Sequence, residues 1–263
     1  LNALEKQRIA ASETRRLGVG IMGVADMLNQ LGVSYDSKEG IDIITRVMEF
    51  ITNAAYQASA SLAGEKGASP IYSEDEYMEC PFLDAALSQE TQTFIRENGI
   101  RNIAIMSIAP TGSISNIIKG FQIDDKNYIG VSGGVEPIFA LYYTRRTESF
   151  KKTEFYKVFH STVQAYIDKM NLQEEIDASE KMEDSLPDYF HRTAHHINPD
   201  KRVIIQGKIQ RYIDHSISST INLPEDVQPE VISDIYLAAW KKKLKGVTIY
   251  RDGSRFPILS TEG

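Results

Sequence analysis

Cysteine is almost missing from this chain: Cys80 is the one thiol in 263 residues. A single cysteine excludes an internal disulfide framework and the small stapled folds that depend on one. Positive charge is also short, with 29 Lys and Arg against 36 Asp and Glu, a net charge of -7 and a pI near 5.4. A surface built for nucleic acid or an anionic membrane needs the opposite balance, so neither partner is expected. No apolar run approaches the ~20 residues that cross a bilayer. No secretory leader is legible either, and the expectation is a soluble, cytoplasmic chain. Repeats and low-complexity segments are absent. The clustered cations Arg145-Arg146, Lys151-Lys152 and Lys241-Lys242-Lys243 read as solvated faces.

What remains is enough to fold: 42% hydrophobic residues can bury the core of one large domain or two small ones. The most informative stretch runs from Arg101 to Asn116. Its first half, Ile103-Ala104-Ile105-Met106-Ser107-Ile108-Ala109, is short and nearly all apolar, the pattern of a strand covered on both faces. It breaks at Pro110 into Thr111-Gly112-Ser113, two hydroxyls around a glycine. Buried strands ending in such loops are where α/β proteins gather backbone amides and hydroxyls around phosphate oxygens. An ordinary strand-to-helix turn capped by Ser113 or Ser115 fits the same residues.

Along the chain, Gly18, Gly20 and Gly23 imitate a dinucleotide fingerprint, but no clear strand precedes them and no acidic residue follows at the right distance. Close helix packing at the small residues is the expectation there. Ser37 reads as an N-cap, and Ile41, Ile44, Val47, Met48 and Ile51 predict one long amphipathic helix over 38–65, stopped by Gly64 and Gly67. Residues 68–88 read as irregular, and 89–98 as a short helix ending at Gly99. The segment around Asp124-Asp125-Lys126-Asn127 reads as polar and flexible, and the glycine-rich run into Tyr142-Tyr143 as a loop and strand. Helices are predicted over 154–170, over 200–214 and from Pro229 to Leu244, with extended segments at 218–224 and 246–250. Helices alternating with short apolar strands argue for an α/β layer or barrel.

Few residues stand out as chemical groups. Cys80 has no feature nearby in sequence to lower its pKa, so a structural or exposed thiol is expected. His191 and His195 are spaced i, i+4, but no third ligand accompanies them or His196, and no metal site is assigned. Glu136, between glycines and Pro137, is either an orienting or acid/base carboxylate at an active-site loop or an acceptor for loop amides.

Five blocks, in this order, resemble one family. They are Arg16-Leu17-Gly18-Val19-Gly20-Ile21-Met22-Gly23, Ala109-Pro110-Thr111-Gly112-Ser113-Ile114-Ser115 and Gly134-Val135-Glu136-Pro137-Ile138-Phe139-Ala140-Leu141, then Thr220-Ile221-Asn222-Leu223-Pro224 and the run from Lys245 to Arg255. They look like the C-terminal half of a ribonucleotide reductase catalytic chain, most like class II, the adenosylcobalamin-dependent type. The resemblance implies an α/β fold, the C-terminal portion of a ten-stranded barrel of the ribonucleotide reductase and glycyl radical enzyme type. It implies that Pro110, Thr111, Gly112, Ser113 and Ile114 hold the substrate's phosphates. The implied activity is conversion of ribonucleotides to 2′-deoxyribonucleotides for DNA synthesis by thiyl-radical chemistry, with adenosylcobalamin providing the radical. The implied partners are a ribonucleoside di- or triphosphate, the remaining N-terminal half of the enzyme, a thiol reductant system and, for the full-length enzyme, a second copy.

That chemistry needs several cysteines, and the single one here lies where the resemblance is weak, so no catalytic residue is assigned. Residues 1–263 are therefore read as the C-terminal part of the catalytic barrel domain. The N-terminal half and the C-terminal tail would be absent, and this fragment alone is expected to be inactive. One alternative is a class I large-subunit fragment, against which stands the single Tyr250 where class I enzymes carry a tyrosine pair. Another is an unrelated phosphate-binding α/β barrel enzyme. A third is a non-catalytic chain that associates with a complementary N-terminal half.

Overall fold

The computed structural model describes residues 3–149, 152–179 and 185–254; Lys151 and Arg255, named above, lie outside them. Helices α1 (Glu5–Thr14), α2 (Val24–Gln30), α3 (Lys38–Lys66), α4 (Glu74–Met78), α5 (Pro81–Ala86), α6 (Gln89–Asn98) and the single turn α7 (Ile114–Ile117) come first. Two antiparallel hairpins follow, β1 (Lys119–Ile123) with β2 (Lys126–Ile129), and β3 (Tyr142–Ser149) with β4 (Lys152–Phe159). The rest is α8 (Ser161–Met170), α9 (Gln173–Ala178), α10 (Pro199–Gln210), β5 (Thr220–Leu223), α11 (Pro229–Lys241) and β6 (Thr248–Arg251).

A short parallel strip organises these elements. Leu17 and Val19 donate to the carbonyls of Ala104 and Ile105 at 2.9 and 2.8 Å, and Ser107 donates back to Val19 at 2.9 Å. On the other side of 104–108, Ser218 donates to Ile108 at 2.8 Å and Ile108 to Ser216 at 3.1 Å. The chain continues into β5, which pairs in parallel with β6, Ile221 opposite Ile249. One extended segment, 215–223, thus changes partner midway, from 105–108 to β6. Ile105, Met106 and Ile108 are all buried, as a strand covered on both faces requires.

Helix α3 closes one face. Ser37 caps it by accepting the Gly40 amide at 3.0 Å. Ile44, Met48, Thr52, Tyr56, Ala60 and Ala63 recur at three and four residues and form its buried stripe. Gly64 lies within this helix, and Gly67, at φ 83°, ends it. The main core joins this stripe to Leu28, Ile95, Met106, Ile138, Phe190 and Ile209, while Val203, Ile221, Leu223, Ile235 and Ala239 form a separate small cluster.

Several expectations are corrected. Residues 154–159 are strand, not helix: Phe155, Tyr156, Val158 and Phe159 are β-formers paired in register with β3, and the helix starts at Ser161. The polar stretch at 124–127 is the tip of a hairpin, Asp124 and Asp125 making the turn and Lys126 starting β2, with Asp124 at φ 50° and Phe121 stacked on Tyr128 at 5.1 Å. Residues 68–88 hold two short helices, α4 and α5. The glycines after Arg16 serve a strand contact, not helix packing: a Cβ on Gly20 would sit 2.3 Å from the Ser107 carbonyl oxygen.

Candidate active site

Parallel strands deliver the loops that follow them to one side of the sheet. Here Pro110, Ser115 and Asn116 follow the 104–109 segment, Ser218, Thr220 and Asn222 come from the partner-changing strand, and Tyr250 from β6. With the 131–139 loop and His160 they enclose a cavity of about 630 Å³.

The loop Pro110–Ile114 stands on its rim, with Gly112, Ser113 and Ile114 exposed. It is tied down through its oxygens. Thr111 takes φ 54°, its carbonyl accepts the Ser115 amide at 2.9 Å, and its hydroxyl oxygen accepts the Gly134 amide at 2.8 Å. Asn116 Nδ2 donates to the Gly112 carbonyl at 2.6 Å. A Cβ on Gly133 would lie 2.7 Å from the Pro110 carbonyl oxygen, so the neighbouring loop can approach only as glycine. The amides of Gly112, Ser113 and Ile114 consequently find no acceptor among the described residues. Ser113 is the N-cap of α7, yet its hydroxyl makes no capping bond. These amides and the Ser113 hydroxyl thus belong to exposed residues and are without acceptors among the described residues.

Glu136 lines the cavity but is committed on both oxygens. Oε1 accepts the Thr220 amide at 2.7 Å, and Oε2 pairs with the guanidinium of Arg202, which is 4% exposed on α10. Arg202 also donates to Ser219 Oγ at 3.1 Å and the Thr220 carbonyl at 3.0 Å. The carboxylate therefore clasps the 133–140 loop to β5. Behind the same loop the buried Tyr35 hydroxyl donates to the Val135 carbonyl, and burial pushes its phenol well up from the ordinary value.

A second polar group lies in the wall. Asp26 on α2 is buried and accepts the Ser132 amide at 2.6 Å and the Thr162 hydroxyl. His160 Nδ1 lies 3.6 Å from Asp26 Oδ1, beyond hydrogen-bonding reach, and is buried without a partner; Ser132 Oγ is likewise unpartnered. Burial holds the His160 imidazole below its ordinary pKa, against the pull of Asp26.

Sequence reasoning singled out the 110–114 loop and Glu136; of these, Pro110 and Glu136 line the cavity, while Thr111, Gly112, Ser113 and Ile114 are not part of its lining. It missed Asp26, Ser132, His160, Arg202 and Asn222, each an unremarkable residue in its own stretch whose position only the tertiary fold supplies. Cys80 is exposed and lines a separate hollow with Ile103, Ala104 and Asp214, where the strands begin. The three histidines line one hollow but bond separately: His191 Nε2 meets the Leu186 carbonyl at 3.1 Å, His196 Nδ1 meets Thr193 Oγ1 at 2.7 Å, and His195 packs edge-on to Phe139. Among the described residues no group of His, Cys, Asp or Glu could hold a metal ion.

Comparison with known proteins agrees with this architecture. A family model described as "Ribonucleotide reductase, barrel domain" matches residues 2–250. The vitamin B12-dependent ribonucleoside-diphosphate reductase of Mycobacterium tuberculosis is 32% identical over 255 residues, covering 94% of this chain and 32% of that protein. The protein of the same description from Thermoplasma acidophilum is 31% identical over 263 residues, 95% of this chain and 30% of its own length. The chain thus spans about a third of the curated relatives it matches. Among solved structures, the class Id ribonucleotide reductase alpha subunit of Actinobacillus ureae superposes with a TM-score of 0.65 at 22% identity, covering 92% of this chain and 40% of that one, a likeness of fold.

Proposed function

Since this chain belongs to the ribonucleotide reductase barrel-domain family, we propose that it is the part of a reductase's catalytic barrel that seats the substrate's phosphates. The whole protein would convert ribonucleotides to 2′-deoxyribonucleotides. The family match leaves no place for an unrelated sugar-phosphate barrel. The observation that carries the reading is the rim loop Pro110–Ile114, whose exposed Gly112, Ser113 and Ile114 amides and Ser113 hydroxyl have no acceptor among the described residues, beside a cavity at the strand ends. A diphosphate substrate is supported by the names of the relatives from M. tuberculosis and T. acidophilum. Residues 1–263 would act with an N-terminal half that brings the radical cysteine, with a thiol reductant system, and within a dimer of the full-length enzyme.

The same names support adenosylcobalamin as cofactor, in preference to the metal-bearing second subunit of a class I enzyme. The described residues suit such a group in one respect. Pro137, Ile138 and Phe139 give the cavity an apolar side, with Phe139 44% exposed at the mouth, the kind of hydrocarbon surface on which a corrin face packs. When bound, the cofactor supplies the radical by homolysis of its cobalt–carbon bond. This chain's own residues bind and orient: the 110–114 loop takes the phosphates, the Glu136–Arg202 clasp fixes the loop opposite, and Ile138 and Phe139 keep water from that side.

Ser113→Ala in the full-length protein tests this reading. Thr111 is the poorer probe because its hydroxyl also ties the loop to Gly134. Calorimetric titration with a ribonucleoside diphosphate should show a loss of about 1.5–3 kcal/mol for a hydrogen bond to a charged group. An unchanged dissociation constant refutes the phosphate role. A spectral titration with adenosylcobalamin that shows no binding moves the protein to class I.

A further inference from the structure

The cavity has a charge problem, which follows if the reading of the 110–114 loop as a phosphate seat holds. Its described lining contains no lysine or arginine, and the nearest guanidinium, Arg202, is committed to Glu136. A diphosphate would bring its full charge against amide dipoles alone. His160 is the one lining side chain that can become cationic in the neutral range.

We propose that His160, backed by the buried carboxylate of Asp26, takes up a proton from solvent when a phosphorylated ligand occupies the cavity. The His160–Asp26 pair would then carry one negative charge when the cavity is empty and none when it is filled. Three observations meet at this pair. Asp26 is buried and bonded to the Ser132 amide and the Thr162 hydroxyl, but it has no lysine or arginine partner among the described residues. His160 Nδ1 is buried without a hydrogen bond, 3.6 Å from Asp26 Oδ1, so a small ring movement completes the contact. His160 also lines both the main cavity and the adjoining hollow by Gly130 and Tyr142, with its side chain 18% exposed.

Other charges around the ring are already engaged. Asp168, on the same helix that His160 precedes, is tied to Lys126 and Tyr128. Lys157 on β4 sits over the Tyr142 ring at 5.3 Å. Glu136 and Arg202 hold each other. Without a ligand, burial and the N-terminus of α8 both oppose an imidazolium. A bound anion adds to Asp26 and reverses that balance. The proton comes from buffer and resides on the ring; no covalent bond changes.

The test is calorimetric titration of the full-length protein with a ribonucleoside diphosphate in two buffers of different ionisation heat, at pH 7 to 8. Parent protein should take up a substantial fraction of one proton per site, and its dissociation constant should rise by up to tenfold per pH unit in that window. His160→Gln, whose parent Nδ1 has no hydrogen bond among the described residues to lose, should still bind, with uptake gone and the pH dependence flattened. Subtracting this variant removes the ligand's own phosphate titration. Equal uptake in parent and variant overturns the proposal while leaving the phosphate seat intact. If the parent does not bind the diphosphate at all, the phosphate reading fails and takes this inference with it. Should His160→Gln misfold, Asp26→Asn serves instead: reduced uptake supports the pair, and undiminished uptake overturns it.

Discussion

Neutralising Glu136 separates a structural clasp from a chemical carboxylate. In Glu136→Gln the amide keeps the size of the side chain but cannot accept from both of its present donors. If its oxygen stays on the Thr220 amide, its NH2 faces the Arg202 guanidinium; if it flips, the NH2 faces Thr220. Either way Arg202, 4% exposed, is left without its charge partner. Breaking a buried pair costs about 3–5 kcal/mol. Glu136 is itself 24% exposed, so water recovers part of that loss and the lower end, about 3 kcal/mol, is expected. For a chain of this size that corresponds to a melting point lowered by about 6–12 °C. Replacing both residues, Glu136→Gln with Arg202→Met, should restore much of the loss, with a coupling of about 2 kcal/mol in the cycle. Urea and thermal unfolding followed by circular dichroism measure all three variants. A Glu136→Gln protein that melts with the parent yet loses activity in the full-length enzyme would refute the clasp and return Glu136 to an acid/base role.

Two further outcomes follow from the packing. Gly20→Ala drives a methyl into the Ser107 carbonyl, where backbone cannot yield cheaply; a destabilisation of about 1–3 kcal/mol or more is expected by urea unfolding, and parent-like stability would mean the strips do not meet there. Arg192, bonded to Asp36, holds that carboxyl below its ordinary value of 3.8. The stabilisation is therefore present above that value and lost as pH falls through the lowered one, and Arg192→Gln should flatten the acid limb of a stability–pH profile.

The architecture was legible where local pattern and tertiary role coincide. Ser37 and the stripe from Ile44 onward announce α3 because the same spacing that makes a helix amphipathic buries it. The Ile-rich run before Pro110 announces a buried strand for the same reason. Phe155 to Phe159 fall in the stretch expected as helix from 154, and only the register with β3 makes them strand. The cavity was half legible. A Pro-Thr-Gly-Ser turn carries its own signal, but Asp26, Ser132 and His160 come from three distant elements, and nothing in any one of them reports the other two. Arg202 shows the same limit: on a helix it reads as surface charge until Glu136 reaches it from 66 positions away.

The segment that swaps neighbours near Ser219 has a mechanical consequence. β6 and α11 rest on a small apolar cluster of their own, centred on Ile221, Leu223 and Ile235, apart from the main core. A flap so mounted can loosen at less expense than melting the whole molecule. Such breathing would carry Tyr250 away while Asn222 on the clasped β5, the Thr111 turn and the Asp26 pair hold still. One side of the chamber is thereby a door, and the other a fixed post.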